Sequence, residues 1–173
     1  MGLLRNRDRG AAVGTRYRMR QRLLSIGEDF WIETEDGTRA FRVDGKALRI
    51  RTTLVLEDTA GNEVAKLQER KLSVRDKMEI ERDGRSVATV KKALVGIRDR
   101  FSIEVEGGAD MNAKGNLVDH EYEIERDGET VASVSKRWFA VRDTYGVEIA
   151  PGEDDALVLA ITVCIDSMSH PGD

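Results

Sequence analysis

His120 and His170 are the only histidines of the chain and Cys164 is its only cysteine, so general-base, thiolate or metal chemistry has few residues to draw on. Neither histidine has a Ser, Cys or Asp at a spacing that marks a triad motif. Ser25 and Ser73 lie in no nucleophile-elbow pattern. Cys164 falls inside an apolar run, where a thiol behaves as a small inert hydrophobe. Gly107-Gly108 lacks the following Lys-Ser/Thr and the helix that a phosphate loop needs. Glu153, Asp154 and Asp155 cluster as calcium ligands do, but their spacing is not that of an EF-hand, and their place before an apolar run suits a helix cap. Asp110 to Gly115 looks like the start of a calcium loop but lacks its terminal Glu. These patterns predict no catalytic residue, no metal site and no cofactor; the expectation is a protein that is not an enzyme.

The remaining chemistry is electrostatic. Arg16, Arg18, Arg20 and Arg22 recur at every second position, which on a β-strand aligns them on one face. Such a stripe suits phosphate headgroups and is the candidate lipid- or phosphate-binding site. The competing expectation is a solvated outer strand whose charges discourage edge pairing. Without interleaved aromatic residues the stripe does not suit single-stranded nucleic acid. The expected partner is therefore an anionic membrane surface or another protein.

The elements that must carry these residues are written in a repeat. Met78-Glu-Ile-Glu-Arg-Asp-Gly84 reappears as Tyr122-Glu-Ile-Glu-Arg-Asp-Gly128, and Val87-Ala-Thr-Val90 as Val131-Ala-Ser-Val134. Phe101, Ile103 and Val105 then correspond to Tyr145, Val147 and Ile149, and a fainter copy starts at Val64-Ala65. Alternating apolar residues followed by Asp-Gly predict strand, tight turn, strand. Asp36-Gly37 and Gly61-Asn62 punctuate further hairpins, which together predict an antiparallel sandwich or barrel. The alanines of the Val-Ala-x-apolar signature (Ala65, Ala88 and Ala132) imply a bulky object close to one sheet face.

That object is the segment after Pro151-Gly152. Asp154 and Asp155 precede the run Ala156 to Ile165, which predicts a helix of about four turns. A helix apolar on every side must be buried on every side, so Leu157, Leu159, Ile161 and Val163 are expected at the centre of a closed sheet. The run is too short for a spanning helix, which takes about 20 residues. The chain is 173 residues with 35% charged and 40% hydrophobic residues and a net charge of −4, ordinary for one soluble domain. Residues 1–14 read as a flexible basic tail without the apolar run of a signal peptide, 15–170 as one domain and 171–173 as a tail. One cysteine excludes an internal disulfide framework, and a reducing, cytoplasmic location is expected, with peripheral membrane association if the arginines bind headgroups.

Three stretches together resemble the LURP-one-related family. They are Tyr17-Arg-Met-Arg-Gln-Arg-Leu-Leu-Ser-Ile-Gly27 leading into Phe30-Trp-Ile32, then Gly115-Asn-Leu-Val-Asp-His-Glu-Tyr-Glu-Ile124, and Ala160-Ile-Thr-Val-Cys-Ile-Asp166. The resemblance implies a tubby-like fold, shared with phospholipid scramblases: a closed antiparallel barrel of about twelve strands around a central hydrophobic C-terminal α-helix. It implies no particular reaction, and the expected role is a non-catalytic binding or scaffold module. Tubby proteins bind phosphoinositides through basic barrel residues, but no position here matches theirs one by one.

Overall fold

The computed structural model describes residues 14–20, 29–48, 51–70, 76–93, 100–140 and 143–170. The predicted tails except Gly14, together with Arg22, Ser25 and Ser73, lie outside the described residues. The strands are β1 (Thr15–Arg20), β2 (Phe30–Thr34), β3 (Arg39–Leu48), β4 (Arg51–Asp58), β5 (Glu63–Glu69) and β6 (Lys77–Arg82). They continue with β7 (Arg85–Ala93), β8 (Arg100–Val105), β9 (Met111–Asn116), β10 (Glu121–Arg126), β11 (Glu129–Ser135) and β12 (Thr144–Ile149). A 3₁₀ turn (Lys136–Trp138) follows β11, and the helix α1 (Asp155–Ser169) ends the fold. Each strand pairs antiparallel with its neighbours in sequence, and β1 pairs with β12 from Thr15↔Ile149 to Arg20↔Thr144. That last pairing closes the sheet into a barrel.

The duplicated sequence folds into duplicated geometry. In β6–β7 and β10–β11 the tight turns place Asp83 and Gly84 at φ 49° and 72°, and Asp127 and Gly128 at 52° and 80°. This left-handed pair is what a two-residue hairpin turn with the twist of the strands requires. Each of these hairpins shifts register just before its turn, at Ile80/Glu81 and at Ile124/Glu125, as do β2–β3 at Ile32/Glu33 and β4–β5 at Leu56/Glu57. A bulge increases local twist, and its recurrence helps the sheet curl.

Helix α1 fills the barrel. Fifteen residues span about 22 Å, about four turns, as the sequence predicts. Leu159, Ile161 and Val163 have no accessible surface. Leu157 departs from expectation: it is only partly buried, because it lies in the first turn, where the helix enters the end of the barrel. Ala65 and Ala88 are fully buried on β5 and β7, two of the strands nearest the helix, so small side chains do sit where the helix approaches the sheet. Because strands and helix alternate in direction, the Asp-Gly turns surround the helix N-terminus, and the β9–β10 turn lies at its C-terminus. Among the described residues no helix is long and apolar enough to cross a membrane.

Ile161→Ala should cost about 2–5 kcal/mol through lost transfer energy and a cavity. Leu157→Ala should cost less than about 2 kcal/mol, since its side chain already meets solvent. Urea unfolding measures both; equal costs would mean that the helix is not gripped hardest at its middle.

Candidate functional site

The arginines stand on the outer face of β1, as their alternation requires, while Tyr17 and Met19 between them point into the core. They do not present bare guanidinium groups. Arg16 donates from Nη2 and Nε to Glu148 at 2.6 and 3.1 Å and from Nη1 to Glu35 at 3.0 Å. Arg18 pairs with Glu33 through Nε at 3.0 Å and through Nη2. Arg16 lies 4.8 Å from the ring of Trp138, and Arg18 lies 5.9 Å from that of Phe139. These two rings press on Gly146 of β12, where an added Cβ would fall 2.7 Å from Trp138 and 2.9 Å from Phe139. Arg20 is exposed at the strand's end. The stripe is thus a layer of ion pairs and aromatic rings over β1 and β12, with each of its first two charges matched by glutamate.

The acidic residues before the helix are likewise engaged by the barrel. Asp154 is the N-cap, accepting from the Leu157 N–H at 3.1 Å, and it also accepts from both terminal nitrogens of Arg82 at 2.6 and 3.0 Å. Arg82 holds the Asp154 carboxyl below its usual range against the opposing effect of burial. Glu153 accepts from both terminal nitrogens of Arg126, and Asp155 accepts from the Tyr17 hydroxyl at 2.6 Å. Arg82 and Arg126 occupy the same position of the sequence repeat, so the two copies clamp consecutive acidic residues. This is a capped, clamped helix start. Asp110 accepts from the Val105 N–H and closes the β8–β9 turn. Cys164 is fully buried, and burial pushes its thiol far above the usual range, so it is unreactive.

The other end of the helix carries a constellation that sequence spacing does not show. Asp166, on the last turns of α1, is 3% exposed, as is His120. His120 Nε2 lies 2.5 Å from Asp166 Oδ1, and His170 Nδ1 lies 3.2 Å from the same oxygen. The β9–β10 turn aims His120 inward: Asn116 and Asp119 hydrogen bond to each other, and His120 adopts a positive φ of 53°. Such a backbone is uncommon outside glycine and points to a constrained position. Gly115 makes the approach of β9 to β10 possible, since a Cβ there would lie 2.6 Å from the Glu121 carbonyl oxygen.

The hydrogen-bond partners set the charges. Both nitrogens of His170 face acceptors, Asp166 on one side and the Val118 carbonyl at 3.1 Å on the other, which suits the doubly protonated ring. The hydrogen bond to Asp166 accordingly raises the His170 pKa, against the lowering effect of burial. Burial alone would raise the Asp166 carboxyl, but the two histidines outweigh it and the carboxyl sits below its ordinary range. The His120 ring stacks on Tyr145 at 4.2 Å between centroids and on His170 at 5.1 Å. Its Nδ1 and the hydroxyl of Tyr145 are buried without a hydrogen-bond partner among the described residues. Burial and the charge of Asp166 push Tyr122 and Tyr145 well above their usual range, so they stay neutral. One donor atom from each of His120, Asp166 and His170 lies within 4.8 Å of the others, close enough to share a metal ion. The only sequence signal was Asp166 and His170 four residues apart on a helix, one face of which they share.

The pair has a pH signature. His170, with a raised folded pKa, adds stability that is fully present below its unfolded value near 6.5 and is lost as the pH rises through the folded value. Asp166, with a lowered one, adds stability present above about pH 3.9 and lost as the pH falls through its folded value. In a chelating buffer, the melting-temperature gap between wild type and His170→Gln should be widest between about pH 4 and 6.5 and shrink toward pH 9. A gap that is constant across that range would show that His170 is not held as a cation by Asp166.

Comparisons with known proteins agree with this architecture. The X-ray structure of an Arabidopsis thaliana protein superposes with a TM-score of 0.69 over 91% of this chain and 93% of that one, at 18% identity, and so shares the fold. No curated protein matches the chain. The family model described as LURP-one-related matches residues 15–166, which takes in the whole barrel and the helix as far as Asp166: the chain belongs to the LURP-one-related family.

Proposed function

We propose that this protein is a non-catalytic binding module that meets its partner on the outside of the barrel. The observation that carries this reading is the filling of the interior. Inward residues from every strand are buried, Ile32, Val43, Leu67, Ile80 and Ile103 with no exposure at all, and they enclose a helix whose Val158 to Asp166 stretch is buried throughout. A substrate has to share that space with side chains at interior packing density, whereas the outer face and the ends are open to partners. The partner fitted best is a protein, because Arg16 and Arg18 already have carboxylate partners that a lipid headgroup would have to displace. Exposed basic groups lie beside that layer: Arg20, and Arg137, which is 85% exposed and only loosely paired with Glu121 at 3.8 Å. A buried single cysteine fits a reducing, cytoplasmic setting.

The second reading, peripheral binding to anionic lipid, rests on the placement of Arg16, Arg18 and Arg20 along one outer strand. Vesicle sedimentation separates the two. With protein recognition, wild-type protein pellets no more with phosphatidylserine vesicles than with phosphatidylcholine ones. Salt-sensitive pelleting, lost in Arg20→Gln/Arg137→Gln at an unchanged melting temperature, would instead establish the lipid reading. The triple change Arg16→Gln, Arg18→Gln and Arg20→Gln should cost about 1–2 kcal/mol by freeing Glu33, Glu35 and Glu148, since exposed pairs are individually weak.

A further inference from the structure

We infer that His120, Asp166 and His170 form a binding site for one divalent transition-metal ion of the zinc class. The inference is independent of the outer-face reading above. Two imidazoles and a carboxylate are borderline N/O donors, which favour zinc, cobalt or nickel over calcium or magnesium. Their donor atoms already converge within 4.8 Å, with His120 and Asp166 almost wholly buried.

Two further features are those of a metal centre. The Val118 carbonyl, 3.1 Å from His170 Nε2, accepts a hydrogen bond from that nitrogen and leaves Nδ1 directed at Asp166. Metal-binding histidines are oriented in this way by a carbonyl or carboxylate on the far ring nitrogen. The second feature is His120 itself, a buried side chain with an unpartnered Nδ1, held by stacking on Tyr145, whose hydroxyl is also unpartnered. Buried polar atoms without partners are rare in folded proteins and mark a place where packing alone did not choose the residues; the Nε2 of His120, turned to Asp166, is the nitrogen that would bind the ion. The 2.5 Å contact between His120 and Asp166 is a hydrogen bond, shorter than the roughly 3 Å between neighbouring donors on an ion with 2.0–2.1 Å bonds. Loading therefore displaces the protons that the histidines share with Asp166 and opens the His120–Asp166 contact by less than about 1 Å. Three protein ligands leave one position for water, on the side of His170, the most exposed of the three. The bound ion would join the end of α1 to the β9–β10 turn.

Cobalt(II) and zinc(II) are the probes, added to the intact chain after chelation. Wild type should bind one equivalent of cobalt with visible d–d absorption that zinc abolishes. Zinc at about a hundredfold excess over its Kd should raise the melting temperature by about 5–10 °C. His170→Gln should keep its fold, since the residue caps the helix at the surface, yet weaken cobalt binding by about a hundredfold or more. His170→Cys should retain binding and add thiolate-to-cobalt charge-transfer absorption, which places the ion at position 170. Absence of both the absorption and the thermal shift in wild type would overturn the inference. So would equal affinity in wild type and His170→Gln, which would assign the ion to surface carboxylates.

Discussion

A helix with no polar face has to be enclosed, and that requirement shapes every other part of the molecule. Val158 to Ile165 offers water nothing but apolar surface and one threonine, whose hydroxyl donates to the Val158 carbonyl. An open sheet covers one side of such a helix; a closed one covers all of it. Closure between β1 and β12 is thus the counterpart of the helix composition, and it also removes the sheet edges. The bulged hairpins supply the curvature, and the small residues of β5 and β7 supply the clearance.

Enclosure leaves the helix ends as the places where charge can meet the core, and the two ends are handled differently. At the N-terminus, acidic residues complement the helix dipole and are gripped by arginines from the two sequence repeats. Those pairs are partly exposed and mainly fix orientation. At the C-terminus the carboxylate of Asp166 is taken inside, where an unpaired charge is costly, and two histidines hold it. An acidic group near the C-terminus also opposes the dipole, so the flanking imidazoles offset two penalties at once.

The barrel was legible because its signals are local. Asp-Gly turns, period-two alternation and an apolar run after Pro151-Gly152 are each read within about ten residues, and the repeat makes them visible twice. Leu157 lies shallower than its place in the apolar run implies, because the helix pattern does not say where the barrel mouth lies. The outward direction of Arg16 and Arg18 followed from parity, but their partner Glu148 is 132 residues from Arg16, beyond any spacing rule. His120 and Asp166 are 46 residues apart and meet only because the helix runs the length of the barrel to the β9–β10 turn. Long-range closure, not local pattern, makes that cluster.

A sequence that obeys local rules throughout tends to break them only where something other than folding is served. Several such breaks gather around the last turns of the helix: a left-handed histidine, a buried carboxylate, and the unpartnered His120 Nδ1 and Tyr145 hydroxyl. Stability alone argues against the arrangement, because apolar residues of similar volume would fill the same space without desolvating a charge. The outer arginine layer shows no such conflict, since each of Arg16 and Arg18 is matched by a glutamate and backed by an aromatic ring. The physical case for a ligand site is therefore stronger at the C-terminal end of α1 than along β1.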